Sequence, residues 1–158
     1  MKIYLDLDGV MADFNKFLRD CNISKETASD DKSLWKELGK YYNLFYHLEL
    51  MKGSLKLVTM LQHHDLEVLT ATPIPTGNLA TAAEDKRRWV SENISRQIKV
   101  NTVVGGKNKW KWLLETPGAV LIDDYGRNID LWREHGGIGI LHRSVEDTLL
   151  KCEELGLL

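Results

Sequence analysis

The chain opens MKIYLDLDGV, Met1 to Val10, and this stretch decides the fold. Ile3 to Leu7 is a short apolar run ending at polar residues, the pattern of a strand buried on both faces of a parallel sheet. Asp6 and Asp8 break into its end, and Gly9 follows at once. In an extended strand residues two apart share a face, so these two acids would project together if the strand continued regularly. Gly9 lets the chain turn sharply and lets its backbone approach a ligand. The acids also interrupt the apolar stretch too early for a signal peptide or a membrane span.

Four further segments read as buried parallel strands: Leu66 to Leu69, Ile98 to Val104, Ala119 to Ile122 and Ile138 to Leu141. Helical stretches lie between the later ones, at about Asn78 to Asn93, Lys107 to Glu115 and Asn128 to Glu134. A last helix is expected after Ser144, where Ser144 and Asp147 resemble a capping arrangement. This alternation predicts an α/β fold, a doubly wound, Rossmann-like sheet of five parallel strands. One interval breaks it. About sixty residues with helix-like periodicity separate the first two strands, and a single crossover helix needs far fewer. The economical reading is one returning helix, Ser54 to His63, preceded by an all-helical insertion from about Asp13 to Met51. The chain is then a single domain, with a small helical cap at about 13–51 inserted in a core of about 1–12 and 52–158. Phe14, Phe17, Trp35, Tyr41, Tyr42, Phe45 and Tyr46 crowd the insertion. They suit either its own core or a cap that closes on a ligand.

The 158 residues are enough for one hydrophobic core and short for two. With a net charge of -2 the chain has no general attraction to a polyanion, so a long nucleic acid is not an expected partner. Lys86, Arg87 and Arg88 form one short basic run of the kind usually found on a solvated helix face. Cys21 and Cys152 lie far apart and outside any metal-ligand spacing, which suits reduced thiols in a cytoplasmic protein. No membrane partner is expected, and a homodimer stays compatible with the sequence.

Ligands of open α/β sheets bind at the carboxyl ends of the strands. Three of the expected strands end there in reactive residues: Asp6 and Asp8, Thr70 and Thr72, Asp123 and Asp124. Four converging carboxylates repel one another unless a cation sits among them. Hard oxygen ligands without a His or Cys cluster favour Mg²⁺ over zinc. An Asp-Gly pair alone is commonly just a turn, and adjacent acids are commonly a solvated loop. Their order at consecutive sheet ends is what makes the set informative. Asp13, at the start of a helix, reads better as its cap than as a ligand.

Together these residues resemble a known family. DLDGV at Asp6 to Val10, LTATP at Leu69 to Pro73, a lysine, and LIDD at Leu121 to Asp124 look like the four motifs of the haloacid dehalogenase superfamily of phosphohydrolases. The similarity is closer to its 5'(3')-deoxyribonucleotidases, whose first motif runs on as in Asp8 to Phe14. EDKRRWV, Glu84 to Val90, resembles their lysine-containing segment, and LFYHLELMKG, Leu44 to Gly53, their passage out of the cap.

The resemblance implies a Mg²⁺-dependent phosphatase acting on a small nucleotide through an aspartyl-phosphate. Asp6 would be the nucleophile and Asp8 the general acid and base. Asp6, Asp123 and the backbone carbonyl of Asp8 would hold the metal, with Asp124 supporting from behind. Thr70, Thr72 and Lys86 would bind phosphate, and Phe14 and Phe45 fall where base-stacking rings lie. Aligned on the strand end, Thr70 is the phosphate hydroxyl; aligned on Pro73, Thr72 is. Lys86 has the better motif context, and Lys107, after Gly105 and Gly106, is its rival. Other readings are a phosphatase of another small metabolite, such as a sugar phosphate, and a receiver-like module phosphorylated on aspartate. The long insertion and the Asp-x-Asp-Gly spacing favour the enzyme over the receiver.

Overall fold

The computed structural model describes residues 1–24 and 31–158. Strands β1 (Lys2–Leu5), β2 (Asp65–Thr72), β3 (Val100–Val104), β4 (Val120–Asp123) and β5 (Ile138–Leu141) form one parallel sheet in the order β3-β2-β1-β4-β5. This is the five-stranded α/β architecture that the sequence pattern predicts. β1 is central, and its alternation sorts side chains between two apolar layers. Ile3 and Leu5 join Val68, Val120 and Ile122 on one face. Tyr4 joins Leu69, Leu121, Ile129 and Trp132 on the other.

The chain runs outward from β1 through β2 to β3, then returns to the other side of β1 for β4 and β5. The strand order therefore reverses between β1 and β4, and open α/β sheets hold their ligand crevice beyond the carboxyl ends at such a point. Leu5 pairs with Ile122, and the N–H of Asp6 donates to the Ile122 carbonyl at 2.9 Å. Asp6 and Asp123 consequently end neighbouring strands at the point of reversal.

Several boundaries differ from the sequence-based expectation. β1 stops at Leu5, not Leu7, because the chain beyond it folds into a tight loop. Met11 and Ala12 both donate to the Leu7 carbonyl, at 2.8 and 2.9 Å, with Gly9 at φ +81°. Asp8 is therefore carried by a loop, and strand alternation is not what brings it beside Asp6. β2 runs on to Thr72 because Thr70, Ala71 and Thr72 pair with Thr102, Val103 and Val104 of β3. The expected helix at 107–115 is a 3₁₀ helix, Gly106–Leu114. The one at 78–93 begins as a 3₁₀ turn, Gly77–Thr81, before its regular part.

Helices α1 (Phe14–Asp20) and α2 (Asp31–Leu38), with a 3₁₀ turn at Leu44–His47, lie between β1 and the returning helix α3 (Ser54–Leu61). Helices α4 (Ala82–Asn93), α5 (Gly126–Glu134) and α6 (Val145–Glu154) follow. Asp13 caps α1, accepting from the Lys16 N–H at 2.8 Å, and Ser144 caps α6 by accepting from the Asp147 N–H. The inserted segment leaves and re-enters through a narrow neck. Asp13 N–H donates to the Glu49 carbonyl at 2.8 Å, and Met51 N–H to the Met11 carbonyl at 2.7 Å.

Beyond the neck, described residues of the insertion pack into the main core. Leu18, Leu38, Leu44 and Phe45 join the same apolar cluster as Ile3 and Leu5. Its last part is pinned to α4, where the buried Trp89 indole donates to the Leu48 carbonyl at 2.7 Å. Tyr46 donates to Glu92 at 2.7 Å, and the Arg88 guanidinium lies 4.2 Å above the Tyr46 ring. No helix among the described residues is long and apolar enough to cross a membrane.

Candidate active site

Four carboxylates and two buried lysines meet at the crevice. Carboxylate oxygens of Asp6, Asp123 and Asp124 lie within 4.8 Å of one another. Asp123 is fully buried at the end of β4, and three donors hold it. Its Oδ1 accepts from the Tyr125 N–H at 2.8 Å, and its Oδ2 from Lys109 Nζ at 2.6 Å and Asn128 Nδ2 at 3.0 Å. Lys109 Nζ also stands 2.8 Å from Asp6 Oδ1 as an ion pair. Asp6 Oδ1 and Asp8 Oδ1 are both buried without a hydrogen-bond partner. A buried acceptor without a hydrogen bond is expensive, and the Lys109 ammonium offsets that cost only for Asp6.

The second lysine, Lys86, comes from α4 and is fully buried. An ammonium has three N–H donors. Lys86 directs them to Asp8 Oδ2 at 2.6 Å, Thr70 Oγ1 at 3.0 Å and the Ala71 carbonyl at 2.6 Å. The Phe45 ring centroid lies 4.4 Å from the same Nζ.

Two glycines allow these parts to pack. A Cβ on Gly9 would sit 2.0 Å from Asp124 Oδ2, so only a bare backbone admits that carboxylate. A Cβ on Gly106 would sit 2.8 Å from Asn128 Oδ1, so this glycine brings the 3₁₀ helix that carries Lys109 against α5.

The electrostatics follow from burial and crowding. Burial pushes the Asp6 carboxyl up, and Asp123 pushes it further, while Lys109 opposes both; Asp8 and Asp124 add to the rise, to about 7. Burial alone would lower Lys109, but the Asp6 and Asp123 carboxylates outweigh it and hold its ammonium above the usual lysine range. Two lysines facing four carboxylates leave the crevice electron-rich, and a divalent cation would balance it.

The sequence-predicted residues are distributed as follows. Asp6, Asp8, Asp123, Thr70 and Lys86 come together, with Asp124 beside Gly9. The Thr72 hydroxyl turns to the Val103 carbonyl at 3.5 Å, so Thr70 is the one that meets a lysine. Lys107 is exposed, and the lysine of that segment which enters the crevice is Lys109. Lys109 and Asn128 were not legible as site residues. A 3₁₀ helix turns every three residues, so the face it buries is not the one an α-helical reading of 107–115 selects.

Phe14 is half-buried and stacks on Phe45, with centroids 6.2 Å apart and planes 16° apart. Phe45 itself is 2% exposed, between Phe14 and Lys86. With 2% of its surface exposed, Phe45 offers a base less open ring than the half-buried Phe14 does.

No family model matches the chain, and no curated protein matches it in sequence. Solved structures do match it in shape. A hydrolase from Streptococcus pneumoniae TIGR4 superposes with a TM-score of 0.57 at 11% identity, over 98% of this chain and 97% of that one. A phosphonoacetaldehyde hydrolase-like protein from Oleispira antarctica gives 0.52 at 14% identity, over 89% and 71% of the two chains. D,D-heptose 1.7-bisphosphate phosphatase from B. bronchiseptica, complexed with magnesium and phosphate, gives 0.50 at 15% identity over 96% and 87%. The chain therefore shares the fold of these hydrolases over nearly its whole length.

Proposed function

We propose that the protein is a Mg²⁺-dependent phosphohydrolase of the haloacid dehalogenase type, acting on nucleoside monophosphates as a 5'(3')-deoxyribonucleotidase. The observation that carries the reading is the Asp6 carboxylate. It is buried at a strand end, has one oxygen without a hydrogen bond, and is surrounded by Asp123, Asp124 and Lys109. The fold likeness to hydrolases, one of them complexed with magnesium and phosphate, supports it.

The residues fit a magnesium ion: the donors are oxygens, they converge, and one carboxylate oxygen each on Asp6 and Asp8 lacks a partner. Asp6, Asp123 and the Asp8 carbonyl would hold it, with Asp124 alongside. When bound, the ion supplies positive charge against both the phosphoryl group and the crowded carboxylates. Asp6 attacks phosphorus, the ester P–O bond breaks, and Asp8 gives its proton to the leaving oxygen. A water then attacks the phosphoaspartate as Asp8 takes up its proton; the Asp6–phosphate bond breaks and inorganic phosphate leaves. Lys109, paired with Asp6 and Asp123, would add its positive charge beside the transferring phosphoryl group. Lys86 fixes Asp8 and Thr70 in place for the proton transfers. Phe14, stacked on Phe45, would be the ring that meets a base.

A phosphate-release screen over nucleoside monophosphates and sugar phosphates tests the reading. Nucleotides are expected to be hydrolysed with Mg²⁺ and spared in excess chelator, and Asp6→Asn is expected to lose about three orders of magnitude or more. Full turnover in chelator, or an Asp6→Asn enzyme within about tenfold of wild type, contradicts the mechanism; preference for sugar phosphates contradicts only the substrate.

Phe14→Ala is expected to raise KM for a nucleotide about tenfold, the scale of one lost base–aromatic contact. KM and kcat for p-nitrophenyl phosphate should change far less. Equal losses on both substrates, with a lowered melting temperature, would show that the ring serves the fold.

The raised pKa of Asp6 gives a test independent of turnover. Its folded-state value lies above its unfolded one, so the stability it contributes is fully present below about pH 4 and is lost as pH rises through about 7. In chelator, Asp6→Asn should therefore melt progressively higher than wild type between about pH 5 and pH 8. Mg²⁺ at pH 8 should raise wild type and leave the variant nearly unmoved. A melting-temperature difference that is constant across pH contradicts the electrostatic account.

A further inference from the structure

We infer that Phe45 is a positioning residue of the reaction: the face of its ring sets where the Lys86 ammonium stands, and Lys86 in turn sets Asp8. The inference rests on the phosphohydrolase reading and adds to it a role for the inserted segment in the chemical step.

Lys86 spends its three N–H donors on Asp8, Thr70 and the Ala71 carbonyl. The Phe45 ring, with its centroid 4.4 Å from Nζ, lies within the range in which the negative face of an aromatic ring attracts an ammonium. Lys86 is fully buried and Phe45 is 2% exposed, so water screens this attraction little. Phe14 stacks on the same ring, with centroids 6.2 Å apart.

The backbone that carries Phe45 is also fixed. Phe45 belongs to the 3₁₀ turn Leu44–His47, and two bonds flank it on α4, Trp89 to the Leu48 carbonyl and Tyr46 to Glu92. Lys86 stands on that same helix, one turn before Trp89. Ring and lysine are therefore parts of one braced unit, and the ring cannot drift without breaking the contacts that anchor the insertion. An aliphatic side chain would fill the space but would not attract the ammonium.

A core-filling role and a positioning role make different predictions for a ring of constant shape and falling electron density. Phe45 is to be replaced by its mono-, di- and trifluorinated analogues, with the same series at Phe17, whose ring packs edge-on against Tyr41. The readout is kcat/KM for p-nitrophenyl phosphate, which reports the chemical step without a base. The expected result is a stepwise fall along the Phe45 series, reaching about tenfold, with melting temperatures unchanged and the Phe17 series flat. A flat Phe45 series in an active enzyme overturns this inference and leaves the phosphohydrolase reading standing. A fall that tracks melting temperature, or is matched at Phe17, likewise overturns it. No phosphatase activity in the wild type removes both.

Discussion

The crowding of Asp6, Asp8, Asp123 and Asp124 at one end of the sheet is the constraint on which the rest of the site depends. At an effective dielectric of about 20, a lysine–carboxylate contact near 2.8 Å is worth about 6 kcal/mol. Desolvation takes back several kcal/mol for each ion. Two lysines set two positive charges against four carboxylates, so the cluster stays short of positive charge. Asp6 shows the consequence, with its pKa lifted to about 7 and one oxygen unbonded. Protonation of Asp6 or a bound cation would each relieve such crowding.

The fold produces this crowding economically. Asp6 and Asp123 need no special device, since they end adjacent parallel strands where the strand order reverses. Asp8 and Asp124 do need one, and Gly9 provides it by leaving its Cβ position to the Asp124 carboxylate. The lysines come from outside the strands, Lys86 from α4 and Lys109 from the 3₁₀ helix after β3. The insertion, braced on α4 through Trp89 and Tyr46, brings Phe45 and Phe14 to the same place.

Much of this was legible in the residues, for reasons that can be stated. Apolar runs ending in acids mark strands and their carboxyl ends together, so the sheet, Asp6 and Asp123 could be read directly. Asp8 was expected beside Asp6 by strand alternation; a loop closed on the Leu7 carbonyl positions it instead. Thr70 and Lys86 were readable from motif context, and the hydrogen bond between them joins the two. Lys109 is not legible because the period of a 3₁₀ helix is not written in the hydrophobic pattern, and the glycine pair precedes the exposed Lys107 instead. Phe45 was visible as an aromatic near the site, but sequence cannot tell a ring that faces a ligand from one already covered by Phe14 and Lys86.

The central claim is that Asp6 carries the phosphoryl group between the two half-reactions. Acid-quenching the enzyme during turnover of p-nitrophenyl phosphate with Mg²⁺, then sequencing its peptides by mass spectrometry, tests this directly. The account predicts one added phosphoryl group on Asp6, present early in turnover and lost as substrate is exhausted. A phosphoryl group on Asp8, Asp123 or Asp124 with Asp6 unmodified would contradict it.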